Sequence, residues 1–156
     1  MEEPLLNIDY LQTARKVKSF FNDEVPRLQR ACGLQIKHDL QSPVLDDMPK
    51  APGFSNHLEE RLVRDLDELD YYILARLILN KVVLSVHLCD YISQQIIIGV
   101  HFKNFTSVKM QRQIGYGTTQ YYHLKNDAYN QFADYFYNQM HELKRRYPYS
   151  DLHVYK

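Results

Sequence analysis

The chain has 156 residues, of which 45% are hydrophobic and 24% charged, a composition typical of one globular domain with a modest core. Nineteen basic residues balance nineteen acidic ones, so the chain is not a uniformly cationic, histone-like protein. Five glycines and six prolines exclude collagen-like and linker-like chains.

Membrane insertion and export are both disfavoured by the sequence. Its apolar runs reach only four or five residues, whereas a membrane span needs about 20. The first four residues, MEEP, are acidic where a secretory signal is basic. Cys32 and Cys89 both lie in apolar surroundings, which favours two free thiols and leaves a disulfide between them open. We therefore expect a soluble, cytoplasmic protein.

The N-terminal part, residues 1–34, predicts a helix over residues 8–31. Asp9 is the expected N-cap, Gly33 supplies the stop signal, and Pro26 should kink or split the helix. The apolar positions recur at three- and four-residue steps: Leu11, Ala14, Val17 or Lys18, Phe21, Val25 and Leu28. Basic residues lie largely off this face, where an ordinary solvated surface is the simplest interpretation: Arg15, Lys16, Lys18, Arg27 and Arg30.

A connector is predicted over residues 35–56, because three prolines and Gly53 leave no room for a regular element. A helical domain follows over residues 57–146. Asn56 caps its first helix, in which Glu59 and Glu60 suit the positive end of the helix dipole. From Glu59 to Asp70 there are six acids and two bases, which indicates a solvated acidic face or a contact with a basic partner such as a polymerase subunit.

A second apolar series runs from Leu84 to Phe102, with a break near residues 90–93 where Ser93 is the expected N-cap. The β-branched run at residues 96–98 would suit a strand, but the surrounding periodicity favours a helix. No strong hairpin signal occurs, so the sequence predicts an all-α fold, a helical bundle.

Residues 107–128 have the spacing of a helix-turn-helix. Ser107 would cap a short helix, Gly115 would end it in a left-handed conformation, and a second helix would begin near Gly117. Six of seven motif positions fit, and the exception is Gln111, where the motif prefers a small residue. The predicted motif core is Met110, Ile114, Gly115, Tyr116, Tyr121, Leu124 and Ala128. An arbitrary helical hairpin is the alternative that spacing alone leaves open.

The outward side of the second helix carries polar side chains and no acid. Four of them are expected to read base edges: Thr118, Thr119, Gln120 and His123. A second group is expected to hold the DNA backbone: Lys103, Lys109, Arg112, Tyr122, Lys125 and Asn126. Residues 101–146 hold seven bases and three acids, and the basic run Lys144-Arg145-Arg146 contributes to that excess. Residues 1–100 hold eleven bases and fifteen acids, so positive charge is concentrated in the part that carries the motif.

The run QIGYGTTQYYHLK at residues 113–125, followed by Ala128 and Phe132-Ala133, resembles the C-terminal signature of the ArpU family. The loop SPVLDDMPK at residues 42–50 is similar to that family's connector, and the resemblance covers roughly residues 9–138. ArpU proteins are phage and prophage transcriptional regulators of Gram-positive bacteria, related to RinA-type late-gene activators. The resemblance implies a DNA-binding part similar to region 4 of sigma factors and regulation of late phage genes for packaging and lysis. Gly117 stands where that pattern has Ser, and Gln111 where it has Ala.

Metal and catalytic sites are not indicated. The seven histidines are scattered without cysteine partners at ligand spacing, and neither a phosphate-binding loop nor a nucleophile motif occurs. We expect no cofactor, no metal and no enzymatic activity. Double-stranded DNA is the predicted partner, with RNA polymerase and further copies of this chain as additional candidates and no membrane. The alternatives are a protein-interaction adaptor or a small terminase-like packaging protein without operator specificity.

Two expectations concern the C-terminal part. Tyr135, Phe132, Phe136 and Met140 continue the apolar face of the second helix and should belong to the core. Residues 147–156 should form a loose tail, since a proline in the run Tyr147-Pro148-Tyr149 stops the helix.

Overall fold

The computed structural model describes residues 7–41 and 71–156, and within these ranges it is 74% helix without strands. The helices are α1 (Tyr10–Ser19), α2 (Val25–Cys32), α3 (Lys37–Gln41), α4 (Tyr71–Leu88), α5 (Tyr91–Phe102), α6 (Ser107–Ile114) and α7 (Thr118–Gln139). The prediction of an all-α fold is confirmed for these residues, including the helical state of residues 96–98.

The N-terminal helix begins and ends where the sequence indicated. The Asp9 carboxylate accepts a hydrogen bond from the Gln12 N–H at 3.1 Å, and Gly33 ends α2 with φ 69°. The predicted split is present as a π-helical segment, Phe20–Glu24, that joins α1 to α2. A π turn holds more residues than an α turn, so two adjacent rings, Phe20 and Phe21, both reach the core.

The main core joins the N-terminal helices to α4, α5 and α7. The Phe20 ring centroid lies 5.2 Å from that of Phe136 and 6.0 Å from that of Phe132, so the π-helical segment that follows α1 packs directly against α7. Each such buried aromatic ring stabilises the fold by about 1.5–3 kcal/mol. The N-terminal helix is therefore an integral part of the fold that carries α7.

Helix α4 is a core helix that is more apolar than the short uninterrupted apolar runs in the sequence indicated. By length and composition alone, this helix of 18 residues could cross a membrane. Within the fold, 39% of them are buried, among them Leu77, Val82 and Val86. Both cysteines are buried free thiols, as the sequence favoured. Burial and the nearby Asp90 carboxylate raise the pKa of the Cys89 thiol to about 12.

Two helix caps differ from the predicted ones. Helix α5 is capped by Asp90, whose carboxylate accepts from the Ser93 N–H at 2.8 Å, so Ser93 lies in the first turn. Helix α6 is capped by Thr106 rather than Ser107, and the Thr106 hydroxyl accepts from the Lys109 N–H at 3.2 Å. In both cases the residue with extended backbone just before the helix is the one whose side chain reaches the free N–H groups.

The connector prediction was wrong at its start, because Lys37–Gln41 is helical. Ile36 and Leu40, one helical turn apart, are buried on the core, which stabilises this short element. Residues 42–70 lie outside the described residues. The predictions for the connector prolines, for the Asn56 cap and for the acidic stretch from Glu59 to Asp70 therefore stay predictions.

The C-terminal residues 147–156 are packed, so the predicted loose tail was wrong. Leu152 is fully buried, and the Val154 N–H donates to the Thr13 hydroxyl at 3.0 Å. The Asp9 N–H donates to the Val154 carbonyl at 2.7 Å, which joins the tail to the start of α1. Both backbone groups of Val154 are thus bonded to the start of α1 and its N-cap.

His153 holds the tail to α7 through one ring nitrogen and bonds within the tail through the other. Its Nε2 lies 2.7 Å from a carboxylate oxygen of Asp134, and its Nδ1 lies 2.8 Å from one of Asp151. Burial of the ring disfavours the charged form, but the hydrogen bonds to Asp134 and Asp151 outweigh it and raise the pKa of His153.

Two residues expected in the core are exposed. Leu11 is 56% exposed, because Thr13 takes the inward position on α1 and bonds to the tail. Tyr135 is 37% exposed, since the inward side of α7 is occupied by Phe132, Ala133 and Phe136.

Candidate nucleic-acid interface

Helices α6 and α7 are joined by a turn of three residues, 115–117. Gly115 adopts φ 78° and ψ 27°, and its N–H donates to the Gln111 carbonyl at 2.9 Å. A side chain other than glycine would be strained in this left-handed conformation. Gly117 is extended and precedes Thr118, the first residue of α7, without a side-chain capping bond. The predicted conformation of Gly115 and the start of the following helix are confirmed.

A small second core fixes α6 and α7 against α5. Ile96 of α5, Met110 of α6 and Tyr121 of α7 are each at most 1% exposed and form its centre. Gly99 lets α5 and α6 approach closely, since a Cβ there would collide with the Met110 sulfur. The orientation of α7 is therefore set by contacts with two other helices.

The predicted motif core is only partly buried. Met110, Tyr121 and Ala128 are buried, whereas Ile114 and Leu124 are half-buried. Tyr116 is 39% exposed, so the expectation that it packs under the turn was wrong. Its N–H donates to the Gln111 carbonyl at 3.2 Å, which holds the backbone in the turn and leaves the ring outside.

Gln111, the residue that departs from the motif, connects the two helices. Its side-chain oxygen accepts a hydrogen bond from the Thr118 hydroxyl at 3.1 Å. A long amide thereby replaces the close contact that a small residue would allow at this position. The hydroxyl hydrogen of Thr118 is consequently engaged within the turn, and only its oxygen lone pairs remain for another partner.

The four residues expected to read bases are all exposed on the first two turns of α7: Thr118, Thr119, Gln120 and His123. Within the described residues, no hydrogen bond uses the side chains of Thr119, Gln120 or His123. Tyr122, on the same turns, is 47% exposed. We call the surface formed by these residues the polar face of α7; apart from the Thr118 hydroxyl hydrogen, its side-chain donors and acceptors are free to bind.

The residues predicted to contact the DNA backbone lie on α6, just before it and on α7. Lys103 and Lys109 are exposed, and their Nζ atoms lie 5.7 Å and 4.0 Å from the centre of the Phe105 ring. Arg112 is exposed on α6. Lys125 and Asn126 are half-buried on α7. The Lys125 Nζ lies 5.9 Å from the centre of the Tyr121 ring. In each of these three contacts the ammonium group is attracted to the face of an aromatic ring.

Three bases that the sequence grouped with the motif lie at the opposite end of α7. This helix has 22 residues, which at about 1.5 Å per residue spans roughly 33 Å. Lys144, Arg145 and Arg146 follow its C-terminal end, whereas the polar face lies at its N-terminal end. The basic excess counted over residues 101–146 therefore overstates the positive charge beside the polar face.

The chain was compared with known proteins. No family model matches it. No solved structure matches it either. It is 29% identical over 138 residues to a protein of Enterococcus hirae, across 83% of this chain and 90% of that protein. That protein bears the name "Putative autolysin regulatory protein ArpU". The likeness supports a link to the ArpU family and a regulatory role.

Sequence reasoning missed the part that α1 plays beside the polar face. The Asn130 amide donates to the Tyr10 carbonyl at 2.9 Å, and the Tyr10 hydroxyl also reaches α7. Burial and the charge of Lys18 on α1 lower the pKa of Lys125. These residues are more than 100 positions apart in the sequence, so no local spacing could have signalled that they meet.

Proposed function

We propose that this protein is a sequence-specific DNA-binding regulator of transcription, in which α6 and α7 act as a helix-turn-helix and α7 enters the major groove. The proposal rests on the difference between the buried side and the exposed side of α7. At its first two turns, Tyr121 is buried against α5 and α6, while Thr119, Gln120 and His123 are exposed with free side chains. A rigidly held helix with a polar outward side has the shape and chemistry that the major groove accepts.

The proposed roles follow from what each side chain can donate or accept. Gln120 carries both a donor and an acceptor and can pair with the edge of an adenine, and His123 and Thr119 can bond to other base edges. Thr118, with its hydroxyl hydrogen directed to Gln111, would bind as an acceptor.

Electrostatics favour a polyanion at this surface. Residues 107–126 contain three bases and no acid. Lys109 and Arg112 stand on α6, and Lys103 and Lys109 both lie against the Phe105 ring. In our proposal these cations, with Tyr122, Lys125 and Asn126, bind the phosphates on either side of the groove and position α7.

The biological setting comes from the ArpU likeness and from the resemblance noted in the sequence. We propose that the protein acts in the cytoplasm of a bacterial host and activates late phage or prophage genes for packaging and lysis. RNA polymerase would then be a partner, in keeping with a domain that resembles region 4 of sigma factors.

Fluorescence anisotropy with labelled duplexes tests this proposal. The full chain is titrated into duplexes that tile the upstream regions of its own phage, and into shuffled duplexes of equal composition, at several salt concentrations. We expect at least one fragment to bind about a thousandfold or more tighter than its shuffled control. Equal affinity for every duplex, or no binding at low salt, would contradict the proposal.

A second candidate function is that of a protein-interaction adaptor. Leu84, Leu88 and Tyr91, near the junction of α4 and α5, are 43%, 48% and 74% exposed, and exposed apolar side chains can mark a partner surface. An adaptor would show no preference among the duplexes above. A terminase-like packaging protein would bind DNA as a ring, which light scattering of the free protein would detect.

A further inference from the structure

Thr118 differs from its neighbours on the polar face of α7, because its hydroxyl group is already bonded within the protein. Its Oγ1 donates a hydrogen bond to the Oε1 of Gln111 on α6 at 3.1 Å. Thr119, the next residue, is exposed, and its side chain forms no hydrogen bond within the described residues. The two adjacent threonines therefore offer different chemistry to a ligand.

The difference lies in the single hydrogen of a hydroxyl group. A threonine hydroxyl has one hydrogen to donate and two lone pairs that accept, and in Thr118 the bond to Gln111 uses the hydrogen. Thr118 is exposed, so its lone pairs remain accessible from the solvent. The unbonded hydroxyl of Thr119 can rotate to donate or to accept, whereas Thr118 can only accept.

The start of α7 favours this orientation of the Gln111 amide, with its oxygen toward Thr118. The N-cap residue, Gly117, has no side chain that could bond the first N–H groups of α7. This end of the helix carries a partial positive charge, which attracts the amide oxygen and repels the amide NH2 group. The main chain of Gln111 is itself fixed, because its carbonyl accepts from the N–H groups of Gly115 and Tyr116. The Thr118 hydroxyl is thus held as an acceptor by its surroundings.

We infer that Gln111 is a positioning residue through which Thr118 selects a base with an exocyclic amino group, adenine or cytosine. This inference rests on the proposed function. Thr118 is the first residue of α7, and the N-terminal residues of a recognition helix are those that contact base edges. In the major groove, adenine and cytosine present an amino donor, whereas guanine and thymine present a carbonyl oxygen. An acceptor bonds to the first two bases and meets another acceptor on the other two.

Thr118→Val removes the hydroxyl, keeps the size of the side chain and locates the contacted base. The wild-type chain and this variant are titrated into the preferred duplex and into duplexes in which each base pair is replaced in turn. At the contacted pair we expect the wild type to prefer adenine or cytosine by about threefold to tenfold, the range of one net hydrogen bond, and Thr118→Val to lose this preference. Deletion of the amino group alone, with purine for adenine or 2-pyrimidinone for cytosine, should weaken binding of the wild type but not of the variant.

Variants of Gln111 test whether this residue directs the hydroxyl. Gln111→Met removes the acceptor, so the Thr118 hydroxyl can also donate, and the preference for an amino group should disappear. Gln111→Glu keeps an acceptor, so the preference should persist although the added charge weakens binding to every duplex. The matched control is Gln113→Met, which removes an exposed amide from the same helix and should keep the wild-type preference. A merely structural role of Gln111 would weaken binding to all duplexes by one factor and leave the preference unchanged. Circular dichroism and thermal unfolding of each variant establish that the fold is retained.

The outcomes separate the inference from the proposed function. If the wild type discriminates between duplexes, but Thr118→Val changes the preference at a guanine or a thymine, or at no position, the inference is wrong and the proposed function stands. The same conclusion follows if Gln111→Met keeps the preference for an amino group or Gln111→Glu loses it. If the wild type binds every duplex with equal affinity, or binds none, the proposed function fails and the inference with it.

Discussion

The Tyr10 hydroxyl, at the first turn of α1, donates a hydrogen bond to the main-chain carbonyl of His123 on α7 at 3.2 Å. Burial and the Asp127 carboxylate raise the pKa of Tyr10, so the hydroxyl keeps its proton and remains a donor. Because His123 belongs to the polar face, this contact ties the position of that face to the N-terminal helix.

Removal of that hydroxyl should have a small, measurable effect on stability. We expect Tyr10→Phe to lower the free energy of unfolding by up to about 1 kcal/mol, because the ring stays and one net hydrogen bond is lost. Urea unfolding measures this. Tyr135→Phe is the control, since the Tyr135 hydroxyl forms no hydrogen bond within the described residues, and it should change nothing. Equal losses in both variants would refute a specific role for the Tyr10 contact.

The two glycines of the turn should respond in opposite directions. At Gly115 an added Cβ meets no atom within 4 Å, so its cost comes from the φ of 78° alone. We expect Gly115→Ala to destabilise the protein by about 1–2 kcal/mol. Gly117 has φ −75°, and Gly117→Ser supplies the capping hydroxyl that α7 lacks, which should stabilise by a few tenths of a kcal/mol. Thermal unfolding of both variants measures these changes in stability. If Gly115→Ala leaves the stability unchanged, the turn is not held in this conformation.

His153 should make stability depend on pH. Its pKa is raised in the folded protein above the ordinary value of 6.5, so its stabilisation is complete below that value and is lost as pH rises through the folded pKa. We therefore expect the difference in unfolding free energy between wild type and His153→Gln to be larger at about pH 6 than at about pH 9. The exposed His141→Gln serves as control. A difference that grows with pH would mean that Asp134 and Asp151 do not hold a charged imidazole.

Local features of the fold could be predicted from the sequence because their causes are local. Asp9 and Gly33 act through their own backbone conformation and near neighbours, and so does Gly115. The N-cap residue is harder to predict where two adjacent residues could both serve as the cap. Thr106 and Ser107 both carry hydroxyls, and the backbone conformation of Thr106, which sequence does not reveal, decides between them.

The surroundings of the candidate site could not be predicted, because they depend on contacts between distant segments. Lys18 looks like an ordinary surface residue until α1 is placed beside α7. Conversely, Lys144 is near the motif in sequence, but the length of α7 carries it away from the polar face. The packing of residues 147–156 could not be predicted for the same reason, since burial of Leu152 depends on contacts with residues distant in the sequence.

The central claim, that the polar face of α7 reads bases, is tested most directly at Gln120. Affinities of wild type and Gln120→Ala are measured for the preferred duplex and for its shuffled form, with exposed Asn138→Ala at the other end of α7 as control. We predict a loss of about 1–3 kcal/mol on the preferred duplex and almost none on the shuffled one, since Gln120 would contact bases rather than phosphates. An equal loss on both duplexes, or no loss on either, would contradict the account.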